Sequence, residues 1–196
     1  MEYNINKTGY IEVICGPMYA GKTEELIRRI TRMDYAKRKY LVFKPHIDKR
    51  YSVTEISSHN LRKIDAICID NAKEIYNYMD DSIQAVVIDE VQFFNYDMID
   101  VCNDLASKGL RVICAGLDLD FKGAPFGIMP QLLAYAEKVT KLTAICVCCG
   151  EEATRTQRII DGHPAYDDEA IVLVGAKESY EARCRKCHVV LHHDSK

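Results

Sequence analysis

Residues Gly16-Pro17-Met18-Tyr19-Ala20-Gly21-Lys22-Thr23 fit the pattern GxxxxGKT, and their flanks constrain the fold more than the string does. Such a loop is meaningful only between a strand and a helix. Ile11-Glu12-Val13-Ile14-Cys15 before it is short, apolar and largely β-branched, as expected of a strand buried in a parallel sheet. After it, Leu26, Ile27, Ile30 and Met33 recur at spacings of three and four among Glu24, Glu25, Arg28, Arg29 and Arg32, the pattern of an amphipathic helix. The loop therefore opens a helix N-terminus, where unpaired N–H groups and the helix dipole favour an anion. Gly16 and Gly21 permit the turns, Lys22 reaches outer phosphates, and the Thr23 hydroxyl is a magnesium ligand.

Further runs alternate in type. Strands are expected at 39–44, ended by Pro45, at Ile64–Ile69, at Ala85–Ile88, at Arg111–Ala115 and at 138–145. Helices are expected at 71–79, around Met98–Cys102 with a Lys108-Gly109 ending, and at 127–136. His46 through His59 reads as a polar loop. This alternation predicts an α/β fold, a mostly parallel sheet with helices on both faces, whose ligands bind beyond the carboxyl ends of the strands. The phosphate loop, the segment after Phe43, the end of the Ala85 strand and the segment after Ala115 then share one edge.

The strand beginning at Ala85 ends in Asp89-Glu90. An apolar strand ending in Asp is a second magnesium-holding element of a phosphate-loop protein, because the ion needs a hard oxygen ligand beside the phosphates. Strand alternation sends Glu90 to the other side from Asp89, leaving it to orient water for hydrolysis or to accept the proton of an alcohol that attacks the γ-phosphate.

The chain has nine cysteines among its 196 residues. Cys15, Cys68, Cys102 and Cys114 lie singly in apolar segments and read as small buried hydrophobes. The other five form two CxxC knuckles, Cys146-Val147-Cys148-Cys149 and Cys184-Arg185-Lys186-Cys187. Cys146, Cys149, Cys184 and Cys187 are the expected ligands of a structural zinc ion, with Cys148 or His188 as substitutes and a redox CxxC pair as the rival reading. The division expected is 1–145 for a nucleotide-binding domain and 146–196 for a zinc-binding one. Between the knuckles, Ala170–Gly175 reads as a strand and 161–169 as a mobile stretch that folds over a ligand.

Net charge is −3 without a long basic run, so nothing in the electrostatics calls for nucleic acid. Residues Met1 to Lys7 show no apolar signal region and no run approaches the ~20 apolar residues of a membrane span. A cytoplasmic protein without a membrane partner is expected.

Taken in order, the loop 16–23, Asp48-Lys49-Arg50-Tyr51-Ser52, Val87 to Phe94, Ala115 to Phe121 with Gly123-Ala124-Pro125-Phe126, and the two knuckles resemble the thymidine kinases shared by animal cytosol, bacteria and poxviruses, over nearly the whole chain. The resemblance implies a RecA-like core and a zinc-containing lasso closing over the nucleoside. It further implies transfer of the γ-phosphate of ATP to the 5′-hydroxyl of thymidine, and of deoxyuridine, for DNA precursor salvage. A homotetramer and feedback inhibition by thymidine triphosphate are also implied.

By matching position, Glu90 would be the general base, with Arg50 and Lys22 completing the catalytic set. Residues 16 to 23, Asp89 and Gln92 would meet ATP, with Thr23 and Asp89 on magnesium. Met18, Phe93, Leu117, Phe121, Thr156 and Tyr180 would shape the thymine pocket, Phe93 packing behind Glu90, and the backbone at Leu173, Val174 and Gly175 would read the base edge. Two other readings stay open on the residues alone. One is an ATPase in which Glu90 activates water; the other is a zinc-stapled nucleotide-binding module for nucleic acid.

Overall fold

Six short, largely apolar runs pair side by side in the computed structural model, which describes residues 9–46, 55–57, 63–171 and 178–193. In chain order the first elements are β1 (Tyr10–Cys15), α1 (Lys22–Tyr35), β2 (Tyr40–Pro45), β3 (Glu55–Ser57), β4 (Lys63–Asp65) and β5 (Ile67–Ile69). A 3₁₀ helix at Ala72–Tyr78 leads to β6 (Ala85–Ile88), and a second at Val91–Phe93 precedes α2 (Asp97–Ser107). Then come β7 (Arg111–Gly116), α3 (Met129–Tyr135) and β8 (Lys138–Lys141). The sheet runs β5-β2-β6-β7-β1-β8, and every pairing in it is parallel.

Period-two alternation divides the core between the two faces of this sheet. Val13, Cys15, Val86, Ile88, Val112 and Cys114 pack on one face with Met98, Cys102 and Leu105 of α2 and Leu132 of α3. Ile14, Val87, Ile113 and Ala115 pack on the other with Leu26, Ile27, Ile30 and Met33, the predicted apolar stripe of α1. Helices thus cover both faces, as the alternation of runs requires. Cys15, Cys102 and Cys114 are buried as expected, whereas Cys68 is only half-buried. Among the buried residues, Glu12 accepts hydrogen bonds from Arg29 and Arg111, the latter from Nε at 2.9 Å.

Three expectations need correction. Ile64–Ile69 is two strands, because β4 pairs antiparallel with β3 while β5 pairs with β2, and the chain bends at Ala66 to serve both. β3 lies inside the stretch read as loop; three residues are too few for a periodicity to show. The stretch 138–145 also divides: β8 joins β1, and β9 (Ala144–Ile145) leaves the sheet to pair with β10 (Glu152–Ala153).

Beyond β9 the chain builds a small antiparallel layer from β11 (Arg155–Ile160), β12 (His163–Pro164) and β13 (Glu178–Arg183). Residues 161–169, read as mobile, contain a turn, β12 and the bridge of Tyr166 to Leu191. Most of the strand read at Ala170–Gly175 lies outside the described residues. No helix among the described residues is long and apolar enough to cross a membrane.

Candidate active site

β1 delivers the chain into the phosphate loop at Gly16, whose φ is +144° and whose missing Cβ would sit 2.4 Å from the Leu142 carbonyl oxygen. Only glycine fits there, and the contact docks the loop against the exit of β8. α1 begins at Lys22, with the Gly21 carbonyl accepting the Glu25 N–H at 3.0 Å. Lys22 Nζ donates to the Pro17 carbonyl at 2.8 Å. Burial lowers the affinity of Lys22 for its proton, an effect opposed by Glu90, Asp89 and Asp118 nearby. A cation held among carboxylates beside a helix N-terminus is a site for phosphate bearing its own metal.

The acidic pair sits where β6 ends, separated from β1 by β7 alone. Asp89 still joins the sheet, its N–H donating to the Phe43 carbonyl at 2.9 Å. Burial, reinforced by the neighbouring Glu90 carboxylate, pushes the Asp89 carboxyl up to about 7. Glu90 does not continue the strand, contrary to the alternation expected of it. It takes the left-handed conformation (φ 50°, ψ 40°) and starts the 3₁₀ turn Val91–Phe93, so the chain turns away from the strand direction at Glu90 itself. Gln92 is buried; its Nε2 donates to Glu90 Oε2 at 2.6 Å and its Oε1 accepts the Leu117 N–H at 3.1 Å. Its amide therefore faces the acid and β7 rather than the phosphate loop.

A cavity of about 480 Å³ opens between this polar edge and the small C-terminal layer. Met18, Phe93, Leu117, Phe121, Thr156 and Tyr180, all expected at a nucleoside pocket, line it, together with Lys22, Thr23 and Glu90. Phe93 meets Phe126 edge to face at 5.3 Å. Thr156 Oγ1 accepts the Met18 N–H at 3.0 Å, so β11 touches the phosphate loop directly. Gly16, Pro17, Ala20, Asp89 and Gln92 are not among the lining residues. Arg50, Leu173, Val174 and Gly175 lie outside the described residues.

Sequence reasoning gave no role to Phe126, Ile171 or Arg158, which also line the cavity. Arg158 is fully buried, 4.1 Å above the Phe121 ring and hydrogen-bonded through Nη2 to the Tyr180 hydroxyl at 3.0 Å. Its guanidinium also donates to the carbonyls of Ala170 and Ile171. The available signal was position: Arg158 follows Thr156 by two residues on one strand and so shares its face.

The four expected zinc ligands converge. The sulfur atoms of Cys146, Cys149, Cys184 and Cys187 all lie within 4.8 Å of one another, and those of Cys149 and Cys184 are 3.7 Å apart. Four thiolates at tetrahedral zinc, each ~2.3 Å from the metal, would lie about 3.8 Å apart, so the donor set fits. The Cys184 N–H leads other amides in drawing the Cys146 thiol down to about 6, while the Cys184 thiol leads its neighbours in pushing Cys187 up to about 12. Such crowding lets all four ionise only around a cation. Cys148 is exposed and outside the set. The His188 ring, the other substitute considered, instead bonds the Phe121 carbonyl through Nε2 at 2.8 Å. Ala20 of the phosphate loop packs against the small apolar cluster of Ala144, Cys146, Ala153 and Ala182, as do Cys184 and Cys187, joining the metal-binding cysteines to the loop.

The family described as thymidine kinase matches residues 9–188. The chain belongs to the thymidine kinase family. It is accordingly a nucleoside kinase, a transferase that phosphorylates thymidine in salvage. Among solved structures, the Legionella pneumophila ATPase DotB is similar at 16% identity and a TM-score of 0.41, over 67% of this chain and 35% of that one. The genome packaging NTPase B204 from Sulfolobus turreted icosahedral virus 2, in complex with sulfate, is similar at 17% identity and a TM-score of 0.41, over 72% of this chain and 76% of that one.

Proposed function

We propose that this chain transfers the γ-phosphoryl group of ATP to the 5′-hydroxyl of thymidine, and of deoxyuridine, giving the 5′-monophosphate and ADP. The observation that carries this reading is the cavity in which Lys22, Thr23 and Glu90 face Phe93, Leu117, Phe121 and Tyr180. Its volume of about 480 Å³ suits a nucleoside with the end of a triphosphate, and its walls combine apolar area with a few polar readers.

The loop 16–23 cradles the triphosphate, with Lys22 on its outer phosphates. Thr23 and Asp89 would hold the magnesium ion of ATP, which neutralises charge between the β- and γ-phosphates. The fit rests on Asp89, a hard oxygen donor that burial would otherwise leave partly protonated near neutrality. Glu90 accepts the proton of the attacking 5′-hydroxyl, and Arg50 meets the phosphate in transit. The thymine ring lies among Met18, Phe93, Leu117, Phe121, Thr156 and Tyr180, and the backbone at Leu173 to Gly175 reads its edge.

Residues 1–145 form the nucleotide-binding domain, and 146–196 the zinc-stapled lasso that closes over the nucleoside and excludes water. The enzyme works in the cytoplasm as a homotetramer, under feedback by thymidine triphosphate, without nucleic acid or membrane as partner. Replacing Glu90 with Gln tests the chemistry. ATP binding should persist while phosphoryl transfer falls by about 10²- to 10⁴-fold; near-normal turnover would remove Glu90 from the role of base.

A further inference from the structure

We propose that Gln92 is a positioning residue for phosphoryl transfer: its side-chain amide clamps the Glu90 carboxylate to the Leu117 backbone, aiming the base at the acceptor hydroxyl. The inference rests on the reading of Glu90 as that base.

Glu90 needs such a clamp because its backbone has left the sheet. A non-glycine residue in the left-handed conformation at the start of a 3₁₀ turn has no strand neighbour to fix its side chain. Gln92 supplies the fixing contact from two residues further on. It is 2% exposed, so neither end of its amide has water as an alternative partner.

The orientation of the amide follows from chemistry. A backbone N–H can be met only by the amide oxygen, so Oε1 faces Leu117, and Nε2 is obliged to face Glu90. The bond to Glu90 is charge-assisted and short, at 2.6 Å, and it engages one carboxylate oxygen of a residue that lines the cavity.

Gly116 completes the clamp. A Cβ there would lie 2.3 Å from Gln92 Oε1 and 3.2 Å from Val91 Cγ1, so any side chain would push the amide off both partners. Because Leu117 itself lines the cavity, the same linkage ties the base to a wall of the nucleoside site. A catalytic group displaced by about 1 Å can cost about 10²-fold in rate while leaving binding intact.

The test compares kcat, both KM values and equilibrium ATP binding in Gln92→Glu, Gln92→Met and Gly116→Ala. Gln92→Glu keeps an acceptor for Leu117 but turns a carboxylate on Glu90, whereas Gln92→Met removes both bonds at similar volume. Both should lower kcat by about 10- to 100-fold with ATP binding and the KM for ATP unchanged. Gly116→Ala should reproduce the loss, and should add less than its own single effect when combined with Gln92→Met, since the two hydrogen bonds it would disturb are already gone. Gln92→Glu at wild-type kcat, or full multiplicative losses in the double variant, would overturn the proposal. Glu90→Gln run alongside separates the two readings. If it turns over normally, the base assignment falls and the clamp with it; if it is inactive while Gln92→Glu is normal, only the clamp falls.

Discussion

The hydroxyl of Thr156 accepts the backbone N–H of Met18 at 3.0 Å, joining a strand of the C-terminal layer to the middle of the phosphate loop. Both residues line the cavity, so this contact joins its two sides directly. Thr156→Val keeps the shape of the side chain but strands that donor, at a cost of about 1–3 kcal/mol. The variant should melt at lower temperature and show a raised nucleoside KM, while Thr156→Ser stays close to wild type. Unchanged melting and unchanged KM in Thr156→Val would show that the contact contributes nothing.

Arg158 holds three things at once: the Phe121 face, the Tyr180 hydroxyl and the carbonyls of Ala170 and Ile171. Lysine cannot reproduce a planar fork that stacks and donates in several directions. Arg158→Lys is therefore expected to raise the nucleoside KM by about tenfold or more, which corresponds to ~1.4 kcal/mol, with the KM for ATP nearly constant. Steady-state kinetics with each substrate varied in turn checks this; equal effects on both substrates would contradict it.

Acid should weaken the fold through Glu12 and Glu25. Burial works to raise Glu12, but Arg111, Arg29 and Lys138 together hold it below the usual carboxylate value of 4.5. Its hydrogen bonds to Arg28, helped by Arg29, bring Glu25 down to about 2. A carboxylate depressed in the folded state stabilises it above the unfolded value, and that contribution is lost as pH falls toward the folded value. For Glu25 the window runs from 4.5 to about 2. Glu12→Gln should be less stable at neutral pH, because Arg29 and Arg111 lose their buried counter-charge and one of its two acceptor oxygens. It should also lose less stability than the parent as pH falls below the usual carboxylate value of 4.5. Denaturant titrations across that range measure both effects.

Metal content provides a separate check. About one zinc ion per chain is expected, released by a strong chelator with a fall in melting temperature, and lost in Cys149→Ser and Cys184→Ser. The His188 contact to Phe121 lies beside Cys187, so metal removal should also weaken nucleoside binding. A chain that binds no metal and carries disulfides at these cysteines would reject the zinc staple.

The parts of the site legible in the sequence are those whose chemistry is local. A phosphate loop is contiguous by necessity, Asp89-Glu90 follows directly on its strand, and each zinc knuckle spans four residues. What could not be read depends on pairing across the fold. Strand order has no local signature, and Ile64–Ile69 and 138–145 look continuous although each divides where the chain changes sheets. Arg158 reads as one more charged residue until β11 is laid over the cavity. Gln92 lies within a recognisable motif, but the direction of its amide is set by Leu117, twenty-five residues further on.

The most direct measurement is the identification of products formed from ATP, magnesium and thymidine. Thymidine 5′-monophosphate and ADP are expected in equal amounts, with little phosphate released when thymidine is omitted. ADP and free phosphate formed at the same rate with or without thymidine, and no thymidine monophosphate, would contradict a nucleoside kinase and leave an ATPase that directs Glu90 at water.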